Sequence, residues 1–381
     1  MGELGRLAPR PTGVPTLLLE LEKLKVAASG LGQVCLHLGE HLLRQRPPGW
    51  DVTAYVPRSR IGVFGQAPGV SYLPHSALHK LLPATRAPVD VWHCLHQQSR
   101  YVPPRPGTRL VLTVHDLNFL QKYMGLRRAR NLAAVQRLID RASVVTFISR
   151  FTEGDVRAHL DLEGKATRVI YSGNSLVARP DAPRPAFAPP GPFLLALGII
   201  GPKKNFHVLV PFLRALGPGR SLVVAGDASG PYAERIRQLA RDEGVSDRLV
   251  LPGSVGDEAR YWLYAHCDAL LFPSLAEGFG LPVIEAMSLG KPVFCSDRTS
   301  LPEAGGAEAY YWTDFDPRAM REVFERGMAE VQADPGKADR LRRWADRFSW
   351  ERCAREYWDV YAEARSLVTA APARAAGASR T

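Results

Sequence analysis

The chain has 381 residues, 46% hydrophobic and 23% charged, an ordinary mix for a globular protein and long enough that two domains are expected rather than one core. No apolar run reaches the roughly 18–20 residues of a membrane-spanning helix. Five scattered cysteines without a CxxC argue against a disulfide framework or a structural zinc site. The net charge of +11 is unevenly spread: residues 1–187 hold 25 Lys+Arg against 13 Asp+Glu, leaving 24 against 25 for the rest. A basic first half suits an anionic partner such as membrane lipid, nucleic acid or a charged saccharide carrier. Its densest cluster is "GLRRARN" (Arg127, Arg128, Arg130), which reads either as a docking patch or as a solvated helix face.

The first apolar segment, "VPTLLLEL", is broken by Glu20 and Glu22 and lacks a small-residue cleavage site. It is expected to be the first strand of a cytoplasmic protein. "AASGLGQVCLHLGEHLL" follows, with Gly30 and Gly32 ahead of a helix; a lone GxG fits a tight turn as well as a phosphate loop. "WHCLH" offers His93 and His96 without an array to complete a metal site, so a packed strand end is expected and no metal. "LVLTVHDLNFL" ends a buried strand with His115 and Asp116, at the kind of strand terminus where open α/β sheets bind ligands. His115 is expected to donate to a ligand hydroxyl or share charge near a reacting centre. Asp116 would orient it, cap the next turn or act on a substrate. In "FISRFTEGDV", Ser149 or Thr152 is expected to cap a helix.

Apolar strands alternate with amphipathic helices throughout, which predicts parallel sheets covered on both faces and an α/β doubly wound architecture. The alternation breaks once, at the six prolines of Val177–Pro192, where the charge balance also changes. Residues 1–187 are therefore expected to form one Rossmann-like domain and residues 188–348 a second, facing it across a cleft. A last helix over 349–367 is expected to cross back to the first domain, with a disordered tail at 368–381.

In the second half, "DALLFPS" reads as a strand, "LAEGFG" as a loop and "LPVIEAMSLG" as a helix, with Pro282 in its first turn and Gly290 at its stop. Gly278 and Gly280 allow close backbone approach, and the free N–H groups at a helix start favour phosphate. Glu277 in the loop and Glu285 one turn into the helix are carboxylates suited to vicinal diols. Two acids around a phosphate nest fit a sugar nucleotide.

"FPSLAEGFGLPVIEAMSLGKPVFCSD", continuing through "SLPEAGG" to "FSWERCAREY", resembles the E-x7-E motif of the retaining glycosyltransferases of family four, which have the GT-B fold. The resemblance implies that Glu277 contacts the donor sugar and Glu285 the ribose, and that Gly278, Phe279, Gly280 and the helix start at Leu281 approach sugar and phosphate. It places Lys204, with Lys203 and Asn205, at the diphosphate clamp, where Ile199 stands at a position that many relatives fill with arginine. It sets Gly253, Ser254 and Val255 near the base, Gly30 and Gly32 toward the phosphates and acceptor, and His115 close to the transferred sugar. Ser172-Gly173-Asn174 replaces the family's usual Asn-Gly-Val.

The expected activity is retaining hexosyl transfer, first mannose, from GDP-mannose or a UDP-sugar to a saccharide or lipid-linked acceptor of lipopolysaccharide or surface polysaccharide. No cofactor or divalent ion is expected, and the acceptor side would meet the inner face of the membrane. A GT-B epimerase or phosphorylase is the alternative. A nucleic-acid binder is a remote one, since no aromatic–basic stripe, zinc signature or helix-turn-helix accompanies the basicity.

Overall fold

The structure, a computed structural model, describes residues 13–26, 29–80, 85, 88–104 and 107–367. The expected tail at 368–381 lies outside the described residues. The β-branched and leucine-rich runs form two parallel sheets. The first holds β1 (Thr16–Glu20), β2 (Asp51–Val56), β3 (Val70–Pro74), β4 (Val91–Cys94), β5 (Arg109–Val114), β6 (Ala142–Phe147) and β7 (Ala166–Val169), in the order β3-β2-β1-β4-β5-β6-β7. The second holds β8 (Phe193–Leu197), β9 (Ser221–Ala225), β10 (Leu249–Gly253), β11 (Ala269–Phe272), β12 (Val293–Ser296) and β13 (Tyr310–Trp312), in the order β10-β9-β8-β11-β12-β13.

Strands β1, β4, β11 and β12 are buried at every position, because helices cover both faces and no polar alternation is tolerated. The edge strands β3 and β10 are only partly buried, and β3 ends at Pro74, where no ladder hydrogen bond is needed. Each sheet reverses its winding beside its first strand, between β1 and β4 and between β8 and β11. The loops leaving these strands open a crevice at the carboxyl edge of the sheet, and that is where α/β sheets bind ligands.

The proline-rich stretch between β7 and β8 contains no helix or strand. The chain returns at Phe348 and builds the helix Trp350–Ser366, capped by the Ser349 hydroxyl. That helix packs on the first sheet. Tyr357 shares a hydrogen bond with Thr113 at 2.9 Å, Tyr361 with His93 Nδ1 at 2.7 Å, and the Trp358 ring N–H donates to the Leu42 carbonyl at 3.1 Å. Gly173 is needed at this crossing, since a Cβ there would lie 2.3 Å from the Trp350 nitrogen.

Candidate active site

The loop after β8 is a tight turn, Pro202–Lys204, closed by Asn205 in the left-handed region at φ 58°. This turn aims Lys204 back over the sheet, where its ammonium lies 4.6 Å from the centre of the Phe272 ring. Lys204 Nζ donates to Glu277 Oε1 at 2.7 Å, and Ser274 donates to the same oxygen. The two charges are mostly enclosed, 14% and 12% exposed. Burial alone would raise the Glu277 carboxyl, but the charges of Lys204 and Lys203 and the hydrogen bonds from Lys204 and Ser274 hold it below its ordinary value. Lys203 itself points outward, and its carbonyl accepts from Leu275 N–H at 2.9 Å. Ile199 is exposed beside this turn.

The loop carrying Glu277 is fixed from behind. Thr299, in the left-handed region, accepts the Glu277 N–H at 3.0 Å, and Ser300 donates to the carbonyls of Glu277 and Phe279 at 3.0 and 2.8 Å. Gly280 takes φ 127°, then Leu281 and Pro282 open the helix Leu281–Ser288. Phe279 is buried against Tyr171 and Phe348. Gly253, at φ 84°, ends β10; Ser254 beside it is exposed and Val255 half-buried.

Glu285 differs from expectation. It is 1% exposed, and both its oxygens are already engaged, Oε1 by Arg260 and Oε2 by the Tyr264 hydroxyl at 2.8 Å. A buried carboxylate needs a countercharge, and the helix Asp257–His266 supplies it. Burial works against the Arg260 charge, yet Glu285, Tyr264 and Asp257 together outweigh it and keep the guanidinium above its ordinary value. Arg260 and Tyr264 lie in "LVLPGSVGDEARYWLY", the stretch that resembles a nucleobase loop, but only their helical i, i+4 spacing shows that they share one face.

Across the cleft, His115 follows β5 and is buried. Its Nε2 hydrogen-bonds the Leu95 carbonyl at 2.8 Å, while burial lowers its basicity to about 4. The neutral ring therefore spends its one proton on the backbone and leaves Nδ1 as an acceptor, which corrects the expectation that His115 donates to a ligand hydroxyl. Asp116 takes the second of its three expected roles: its carboxylate accepts from Asn118 N–H at 3.1 Å and Asn118 Nδ2 at 2.6 Å and closes the turn. Gln97, not anticipated, links the two by accepting the His115 N–H at 3.2 Å and donating to the Asp116 carbonyl at 2.6 Å. Gly30 and Gly32 lie inside the first turn of the helix Gly30–Arg44 rather than in a loop before it, because Ser29 caps at that point and accepts the Gly32 N–H at 3.1 Å. His93 is held by Thr113 and Tyr361, and among the described residues no three His, Cys, Asp or Glu side chains gather as a metal set.

The two halves meet at this site. Ser149 caps the helix Arg150–His159 as expected, and it also donates to the Gly278 carbonyl of the opposite loop at 2.9 Å. Thr152 donates to the His115 carbonyl at 3.1 Å. A Cβ on Gly278 would come within 2.5 Å of that same carbonyl, so only glycine permits the approach. Glu303 completes the junction by accepting the N–H groups of Arg150 and Phe151 at 2.8 and 2.7 Å and the Tyr171 hydroxyl at 2.9 Å.

Two Rossmann-like sheets whose strand-end loops converge on a lysine–glutamate pair define the GT-B glycosyltransferase architecture. Residues 180–346 match the family described as Glycosyl transferases group 1, and residues 28–176 match Glycosyltransferase Family 4; the chain belongs to this glycosyltransferase family. The serotype-specific mannosyltransferase WbdA of Escherichia coli is 35% identical over 171 residues, 43% of this chain and 21% of WbdA, so the match spans about a fifth of that relative. The O-antigen chain mannosyltransferase B of Escherichia coli is 26% identical over 283 residues, 70% of this chain and 73% of that one. Sucrose-phosphate synthase from Thermosynechococcus elongatus shares the fold, with a TM-score of 0.71 at 19% identity over 92% of this chain and 98% of that one.

Proposed function

We propose that the chain is a retaining hexosyltransferase that moves mannose from a nucleotide-diphosphate sugar, GDP-mannose first and a UDP-sugar second, to a saccharide acceptor of an O-antigen-like surface polysaccharide. The observation that carries the reading is the Lys204–Glu277 pair, enclosed at the carboxyl edge of the second sheet, with the His115 carbonyl of the first domain packed against the neighbouring Gly278. In this reading Lys204 turns to the diphosphate and Glu277 accepts sugar hydroxyls, each exchanging its partner for the ligand. The bond from the anomeric carbon to phosphate breaks while the bond to the acceptor oxygen forms on the same face. The departing phosphate takes the acceptor proton. Lys204 and the helix start at Leu281 stabilise the developing negative charge without a divalent ion. His115 Nδ1 accepts from a sugar hydroxyl. The mannosyltransferase relatives support the sugar.

The experiment is acceptor-dependent release of nucleotide diphosphate in the presence of EDTA, with the anomeric configuration of the product read by NMR. Release with retained configuration supports the reading. Inversion, or release that ignores the acceptor, contradicts it.

The acceptor side is proposed to rest on an anionic membrane surface from the cytoplasmic face. Among the described residues no helix is long and apolar enough to cross a membrane. Met124 and Leu126, however, are 86% and 91% exposed, next to Lys122, Arg127, Arg128 and Arg130 at the start of the helix Gly125–Arg141. Apolar tips ringed by cations suit an anionic bilayer. Co-sedimentation with phosphatidylglycerol vesicles that survives Arg127→Glu with Arg128→Glu would remove this part.

A further inference from the structure

The guanidinium that covers Glu285 is only partly used. Of its five N–H donors, Nη2 donates to Glu285, Nη1 lies at 4.0 Å from the exposed Asp257, and Nε is enclosed without an acceptor. Arg260 also stands in the first turn of the helix Asp257–His266, where the helix dipole disfavours a cation. The local helix therefore gives no reason for a cation at this position. Its place does: it follows the loop Gly253–Gly256 and adjoins Glu285, which Tyr264 also holds.

We propose that Arg260 is a specificity-determining residue that reads the nucleobase of the donor and selects guanine. The inference rests on the nucleotide-sugar reading above. With the carboxylate 1% exposed, ribose reaches Glu285 only when the guanidinium pivots off it. The pivoting group carries a planar fork of donors, and a fork is satisfied by two adjacent acceptors. Guanine offers such a pair in O6 and N7. Adenine puts an amino donor beside N7, and uracil separates its two carbonyls by an N–H. Glu285 then keeps Tyr264 and accepts the ribose hydroxyls.

The test is calorimetric titration of GDP, UDP and ADP into the full chain and into Arg260→Gln and Arg260→Lys, with thermal melts to confirm folding. The unaltered protein is expected to bind GDP about tenfold or more tighter than UDP or ADP, the discrimination typical of a bidentate base contact. Both variants should bring the three affinities close together, Arg260→Lys doing so while retaining a cation for Glu285. A residue that merely braces Glu285 would weaken all three nucleotides alike and leave their ratio in place. No preference for GDP in the unaltered protein, or a preference surviving in both variants, overturns the inference while the nucleotide site stands. If the unaltered protein binds none of the three, the nucleotide-sugar reading fails and this inference with it.

Discussion

His115 and Lys204 each follow a strand near the middle of a parallel sheet, and their polar atoms are satisfied in different ways. In the first domain, His115 gives its proton to the Leu95 carbonyl, and Asp116 spends its carboxylate on Asn118 two residues away. Those groups are satisfied by backbone and amide partners from their own loops rather than by opposite charge. In the second, charge is held against charge, Lys204 with Glu277 and Arg260 with Glu285. Such pairs keep ionic groups tolerable in an enclosed crevice until a ligand brings replacement partners. A nucleotide sugar brings both kinds, phosphate for the cations and hydroxyls for the acids.

The sharpest way to break this contrast is to remove one charge of the second domain. Glu277→Gln should lower kcat by about 10²–10³-fold, the scale of losing one preorganised electrostatic group, while nucleotide diphosphate still binds in a titration. Lys204→Ala should lose a similar factor and also weaken nucleotide binding, and the double variant should lose far less than the product of the two, because the residues act as a pair. Additive losses would show that the pair is not a unit.

Next in size is the seam between the halves. Gly278→Ala places a methyl against the His115 carbonyl and pushes the two surfaces apart, and a misplacement of about 1 Å at a reacting centre costs on the order of 10²-fold in rate. Single-turnover kinetics with unchanged nucleotide affinity would locate that loss in closure.

The pH response separates the two domains more gently. Folding holds His115 neutral down to about 4, while the unfolded chain takes up its proton near 6.5, so stability should fall as the pH drops through that window. Glu277 behaves as a depressed carboxyl: its contribution is complete above its ordinary value of 4.5 and is lost as the pH falls below it. Melting curves from pH 7 to pH 4 should record the contributions of His115 and of the buried His93 and His96 first, and His115→Asn should remove only its own share of that slope. The smallest effect is expected at Glu303→Ala, about 1 kcal/mol in a denaturant melt, since Ser149 still caps the same helix.

Much of this was legible in the residues. Continuous apolar runs such as "ALLF" and "VFCS" announce strands buried on both faces, and Pro282 and Gly290 bracket the helix of the second glutamate. Lys204 and Glu277 are 73 positions apart, and it was the family resemblance, not spacing, that put them together. The missed features are long-range and unpatterned. Nothing local in "DEARYWLYAHC" says that its arginine turns inward to Glu285, because that depends on how the helix packs. Gly30 and Gly32 are expected ahead of the helix because a GxG after the first strand resembles a glycine-rich loop, and the Ser29 cap instead sets them inside its first turn. The proton of His115 depends on the Leu95 carbonyl, a neighbour made by strand pairing.

The central claim is that the Lys204–Glu277 crevice holds a nucleotide sugar. Its most direct test is titration of GDP-mannose and UDP-glucose into the unaltered protein and into Lys204→Ala. Saturable binding of one of the two, weakened at least about tenfold by the substitution as expected for a lost charge-assisted phosphate contact, is the predicted result. Saturable binding of neither, or binding that Lys204→Ala leaves unchanged, would contradict it.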